Sequence, residues 1–326
     1  MRRVTTTHKN SGKDVNCLRT LIVGNGIDIQ YGGFEQRGNK AILDRAIKNI
    51  ESGKYNRLGW QADDLISIFN SCLLIINRVI ENDWFVNPSE DFLFLQMEMD
   101  RVRRSYKHPC ELVTLGLEDY FLGAELGSLN ASTKEEGDGL REKIYHFLQP
   151  ILLDAIYDDG KVNEIYKSFP KQLVRELQRY DAIYTINYDT NLENCLEGKV
   201  PIYHLHGCFN DLKEDAPNID EYRHMFCNGI MTWYWLEKYG NEGEDVRYGT
   251  KQFEQIEGLI DIIGISPCND EQLYIRLWQN PKLRSCNFYY YDRCEAVEIR
   301  KHIGGNLGKH ITDRDVKKFW SKFGNR

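Results

Sequence analysis

The stretch Thr20–Gly33, TLIVGNGIDIQYGG, begins as an unbroken apolar run, halts at Gly24 and Gly26, and places Asp28 two residues beyond. Apolar residues that run together rather than alternate mark a strand buried on both faces, as in a parallel sheet covered by helices. Paired glycines at such a strand end allow backbone to approach a pyrophosphate, with the N–H groups of the next helix behind them. The third glycine of the G-x-G-x-x-G form is replaced by Ile29, which argues against a standard hydride-transfer site. A tight strand-to-helix turn with no ligand accounts for the same residues.

Four further runs have this character: AIYTINYD (182–189), PIYHLHG (201–207), LIDIIGIS (259–266) and NFYYYD (287–292). Between residues 41 and 180 the spacing turns helical, with apolar residues three or four apart in AILDRAIKNI, DDLISIFNSCLLIINRVI, EDFLFLQMEMDRVRRSY, GLREKIYHFLQPILLDAIYDD and PKQLVRELQRY. STKEEGDGL (132–140) reads as a loop between helices, with Ser132 or Thr133 as a cap. A crossover needs only about a dozen residues, so this long stretch predicts an insertion. The expected fold is α/β: a Rossmann-like parallel sheet from 17–40 and 180–326, a large inserted helical subdomain at 41–179, and a polar leader at 1–16.

With 41% hydrophobic and 28% charged residues, eight prolines and a net charge of −7, the 326-residue chain has the make-up of a folded globular protein. No basic stripe is dense enough to track a nucleic acid, Arg101, Arg103 and Arg104 reading as one solvated helix face. The nine cysteines are odd in number, scattered, and never spaced C-x-x-C, which predicts reduced thiols in a cytoplasmic protein without a zinc ribbon. The longest apolar runs are far short of a membrane span.

Ligands of open parallel sheets bind beyond the carboxyl ends of the strands, so the chemistry is sought there. Asn187, in Thr185-Ile186-Asn187-Tyr188-Asp189, offers an acceptor and two donors at a strand end and has no evident local duty. Asp189 has one, capping the following helix, and Thr190 serves equally. In His204-Leu205-His206-Gly207-Cys208, positions 204, 206 and 208 share a strand face, so a metal cluster competes with a general base. His206 is the candidate base, with an ordinary pKa near 6.5. His204, deeper in the strand, reads as a hydrogen-bonded core residue. Gly264 and Ser266 suit a ribose or phosphate, and a capped turn explains them as well. GFEQRGNK (33–40) fails as a P-loop, because Asn39 precedes the lysine and no Ser or Thr follows it. The segment 221–248 holds Trp233, Tyr234 and Trp235, either a lid over the cleft or core and interface.

Taken in order, GNGID, TINYDTNLE, HLHG and IIGIS resemble the sirtuin-like (SIR2-like) family, particularly the AbiH-like proteins of bacterial phage defence. The resemblance covers the sheet, about 17–40 and 180–295, and not the helical insertion. It implies an NAD+ glycohydrolase that yields nicotinamide and ADP-ribose, with NAD+ as substrate and no metal. Asn187 and His206 take the family's catalytic positions. Gly24, Asn25, Gly26 and Asp28, with Thr185, Asp189, Gly264 and Ser266, take its dinucleotide-binding positions. A role as abortive-infection effector is implied, together with homo-oligomerisation or a separate activator such as an ATPase, a nuclease or a phage protein. The four-cysteine zinc module of sirtuin deacylases is missing, and the 19-residue step from Asn187 to His206 is short for the family. The competing expectations are a catalytically silent NAD- or ADP-ribose-binding subunit and a metallohydrolase built on His204, His206 and Cys208.

Overall fold

The computed structural model describes residues 18–84, 93–214, 216–217, 219–227, 256–267, 270, 273–274, 276–277, 280–303 and 310–324. In chain order these form β1 (Arg19–Val23), α1 (Gly26–Gly32), α2 (Phe34–Arg37), α3 (Asn39–Glu51), α4 (Ala62–Ile80), α5 (Leu93–Ser105), α6 (Leu117–Ser128), α7 (Lys134–Tyr157) and α8 (Lys171–Leu177). There follow β2 (Ala182–Thr185), α9 (Asn191–Leu196), β3 (Ile202–His204), β4 (Gly258–Ile263), β5 (Leu283–Tyr290), α10 (Arg293–Ile303), β6 (His310–Asp315) and α11 (Val316–Ser321). Short 3-10 turns occupy Lys54–Leu58, Lys161–Ser168 and Asp220–Phe226. Among the described residues no helix is long and apolar enough to cross a membrane.

The six strands are all parallel, in the order β3-β2-β1-β4-β5-β6. This is the doubly wound α/β arrangement expected from the unbroken apolar runs. Successive β1 side chains explain the run directly. Leu21 and Val23 enter one apolar core, while Ile22 enters the core on the other face. Burying each of these side chains contributes about 1.5–3 kcal/mol. The first core continues without a break into the long insertion through Phe69, Tyr120, Leu148 and Leu152, so the inserted helices and the sheet share one interior.

Between the core residues Ile260 and Ile262, Asp261 of β4 is fully buried and accepts hydrogen bonds from Arg19 Nε (3.1 Å) and Nη2 (2.7 Å) and from Tyr180 Oη (2.6 Å). Asn287 of β5 also donates to it, so polar contacts tie β4 and β5 at mid-strand, level with Leu21 of β1, and reach Arg19 at the start of β1.

Three elements depart from the sequence expectation, each for a physical reason. The residues 132–140 are mostly helix. Thr133 caps α7 by accepting from Glu136 N–H, while Ser132 N–H donates back to the Glu136 carboxylate, and the two early glycines conceal this start. Helix α6 is buried nearly all round, so it lacks the one-sided stripe by which a helix is recognised. Strand β6, HITDRD, lies at the sheet edge half exposed, and polar residues interrupt its apolar pattern.

Candidate active site

Beyond the carboxyl ends of β1, β2 and β3 lies a cavity of about 160 Å³. The sheet side supplies Asn25, Asp28, Ile186, Asn187, Tyr188, Asp189 and His206. Helices α2, α3, α6 and α7 close the other side with Arg37, Ile42, Arg45, Leu117, Glu118 and Ile156, so the insertion roofs the site. Five residues anticipated from sequence, Asn25, Asp28, Asn187, Asp189 and His206, therefore meet in one place.

Asn187 is held on three sides. Its backbone N–H donates to Thr185 Oγ1 (3.0 Å), its carbonyl accepts from His204 Nδ1 (2.7 Å), and its side-chain Nδ2 donates to Asp28 Oδ2 (3.1 Å). The residue thus has a local duty that sequence reading did not find, and its amide oxygen accepts no hydrogen bond among the described residues, in a side chain that lines the cavity. Thr185 is a buried support for Asn187. Asn191 donates to the other Asp28 oxygen (3.3 Å), and Asp189 Oδ1 accepts from Asn191 N–H (2.8 Å) from one position ahead of Thr190, the residue that stands at the cap of α9. Burial, reinforced by a hydrogen bond to Asp189 and that residue's charge, pushes Asp28 well above the usual carboxylate range, with Arg37 and Asn191 pulling the other way. Two hydrogen-bonded carboxyls require one of them to keep its proton.

The two histidines are driven in opposite directions. His204 contacts two acceptors, the Asn187 carbonyl and Glu193 Oε1 (2.6 Å), so both its ring nitrogens donate. Burial works against its charge, but Glu193, the Asn187 carbonyl and the charge of Asp189 together outweigh burial and raise its pKa. His206 has no hydrogen-bond partner among the described residues, and burial lowers its pKa to about 4. Strand β3 ends at His204, so the pleat that would align positions 204, 206 and 208 stops there. Among the described residues no group of three or more His, Cys, Asp or Glu side chains is placed to hold a metal ion.

A stability prediction follows from His206. Its folded pKa lies below the unfolded value of 6.5, so between these pH values the unfolded chain carries a proton that the folded chain refuses. Stability present above pH 6.5 is therefore lost as pH falls towards 4, by about 3 kcal/mol at most. Urea unfolding of His206→Gln across pH 4.5–7 is expected to show a flatter acid limb than wild type. Parallel limbs would mean that His206 is not held neutral by burial.

The glycines anticipated at the phosphates meet one another instead. Gly24 N–H donates to Ile263 O (3.0 Å) and Gly26 N–H to Gly264 O (3.3 Å), so both donors are spent on the end of β4. A Cβ on Gly26 would lie 2.5 Å from the Gly264 Cα, and Gly264 itself has φ +69°, which suits glycine. These three residues seal the β1/β4 crossing. Ser266 follows in the turn after β4, where its carbonyl accepts from Asp270 N–H (3.0 Å).

Sequence reading missed Arg37, Arg45 and Glu118. Arg37 is buried, its Nη1 donates to Asp158 Oδ2 (3.2 Å), and its Nε has no partner in a residue that lines the cavity. Asn25 donates to the Arg37 carbonyl (3.1 Å), fixing the turn that carries it. Arg45 donates through Nε to Ala155 O (2.7 Å), close to the same end. A signal for Arg37 was present in the discarded 33–40 segment, a lone cation between Gly33 and Gly38. The aromatic trio Trp233, Tyr234 and Trp235 lies outside the described residues.

No family model, curated protein or solved structure matches the chain. The cavity's own chemistry carries the functional argument.

Proposed function

We propose that this cavity hydrolyses NAD+ to nicotinamide and ADP-ribose. The observation that carries the reading is the meeting of Asn187 and His206, from two different strand ends, on one cavity. Expelling nicotinamide from NAD+ neutralises a pyridinium and builds positive charge on the ribose, so the reaction rewards fixed dipoles around the sugar. The Asn187 amide oxygen is oriented by Asp28 and suits a ribose hydroxyl or the developing charge. A neutral His206 accepts a hydrogen bond from a ribose hydroxyl. The cavity is smaller than the roughly 300–1,000 Å³ of most ligand pockets, which fits the nicotinamide-ribose end with the remainder outside.

The biological setting rests on the sirtuin-like and AbiH-like resemblance: a cytoplasmic effector of bacterial phage defence that depletes NAD+ as a homo-oligomer or under a separate activator. Incubating the purified chain with NAD+, alone and with the products of neighbouring genes, and resolving the products by chromatography tests the reading. Nicotinamide and ADP-ribose are expected in equal amounts. Calorimetric binding of NAD+ or ADP-ribose with no nicotinamide release in any combination would make the chain a silent binding subunit.

A further inference from the structure

We propose that Glu118 is a catalytic residue of this cavity, the general base that takes a proton from the water attacking the ribose. The proposal rests on the NAD+ reading. Glu118 stands in the first turn of α6 and lines the cavity together with Asn187 and His206. The adjacent Asp119 is engaged by Arg101 and by Tyr106 Oη (2.6 Å). Asp28 and Asp189 are likewise committed to Asn187 and Asn191. Glu118 alone among the cavity's acids makes no hydrogen bond or ion pair among the described residues, and its side chain is open to solvent.

The surroundings tune it for proton transfer. Facing it are Asp270 from the turn after β4, Arg101 and Glu98 from α5, and Asp119 from its own helix. The cavity walls add Asp28, Asp189, Arg37, Arg45 and His206. Although the Glu118 side chain is exposed, the protein groups crowded around its carboxyl and the negative charge of Asp270 push it upward, with Arg101 opposing. Burial pushes Asp270 up to about 7, while the Ser266 N–H and Arg101 pull it down. A base works best when its pKa is near the operating pH, which favours Glu118 over the far less basic His206.

The step balances. Water oxygen forms a bond to ribose C1′, and the C1′–N1 bond breaks with its electron pair passing to the pyridinium nitrogen, which leaves as neutral nicotinamide. The Glu118 carboxylate takes the water proton and later yields it to solvent.

The test compares the full chain with Glu118→Gln in NAD+ hydrolysis from pH 5.5 to 9.5, under conditions where wild type turns over. Wild-type kcat is expected to rise with pH and level off above about 8, and Asp270→Asn to move that inflection to lower pH. Glu118→Gln is expected to run about 10²–10⁴-fold slower without the inflection, while binding NAD+ with unchanged affinity by calorimetry. Azide, which needs no deprotonation, is expected to restore turnover to Glu118→Ala and give the ribosyl azide. A Glu118→Gln enzyme at the wild-type rate, or a slow one that keeps the inflection and ignores azide, overturns this assignment alone. A wild type that never releases nicotinamide overturns the NAD+ reading and takes the assignment with it.

Discussion

Asn187→Ala is expected to slow NAD+ hydrolysis about 10²–10³-fold, the scale seen when one preorganised dipole is removed from a reacting centre. The loss should fall mainly on kcat, because the amide oxygen is proposed to act on charge that develops as nicotinamide leaves. Truncation removes the Nδ2 donor to Asp28, but Asn191 still donates to that carboxyl, and the backbone bonds of residue 187 to Thr185 and His204 remain. The variant is therefore expected to melt cooperatively. Asn187→Asp should fare worse, because it brings a third carboxyl against Asp28 and Asp189, whose proximity already pushes Asp28 upward. Rates from nicotinamide release, set beside thermal melts of both variants, decide the matter. A folded Asn187→Ala with wild-type kcat would remove Asn187 from the mechanism.

Asp154→Ala is expected to cost about 3–5 kcal/mol of stability, the range for stripping one partner from a buried ionic network. Asp154 lies on α7 with essentially no exposure, and its carboxylate accepts from Asn49 Nδ2 (3.1 Å), Lys54 Nζ (3.1 Å), Tyr55 Oη (2.8 Å) and His224 Nε2 (2.7 Å). Burial opposes the charge, yet the bonds from His224, Lys54 and Tyr55 hold the carboxyl below its ordinary value. This contribution is present at neutral pH and is lost as pH falls through the folded pKa. Alanine leaves the donors unpaired and frees the last turns of α7, where Ile156 lines the cavity and Asp158 anchors Arg37. Urea titration at pH 7 measures the loss. A change below about 1 kcal/mol would show that the network is not holding α7, since typical buried bonds alone exceed that when broken.

Much of the sheet was legible because strands buried on both faces announce themselves as unbroken apolar runs, as β1, β2 and β4 did; the half-buried edge strand β3 and the second half of β5 were found as well. β6 and α6 failed for opposite reasons: one is too exposed to carry a clean apolar run, the other too buried to carry a stripe. For the site, sequence order put Asn187 and His206 at strand ends, and a parallel sheet gathers strand ends on one side. The roles of their neighbours were less visible. Gly24, Gly26 and Gly264 had the look of a phosphate cradle, but the close approach they permit is to one another.

By itself the sequence determined a helix-covered parallel sheet, a long helical insertion after its first strand, and an asparagine and a histidine at neighbouring strand ends. Those follow from local periodicity and from the rule that strand ends carry ligands. Only the tertiary structure decided that the insertion roofs the cavity, that Arg37 and Glu118 line it with Asn187, and that His204 is pushed towards its charged form while His206 is pushed towards its neutral one. Asp28 and Asn187 are 159 residues apart, and Arg37 and Asp158 are 121 apart. Burial and neighbouring charge set what a side chain can do, and chain folding, not local sequence, brings those neighbours together.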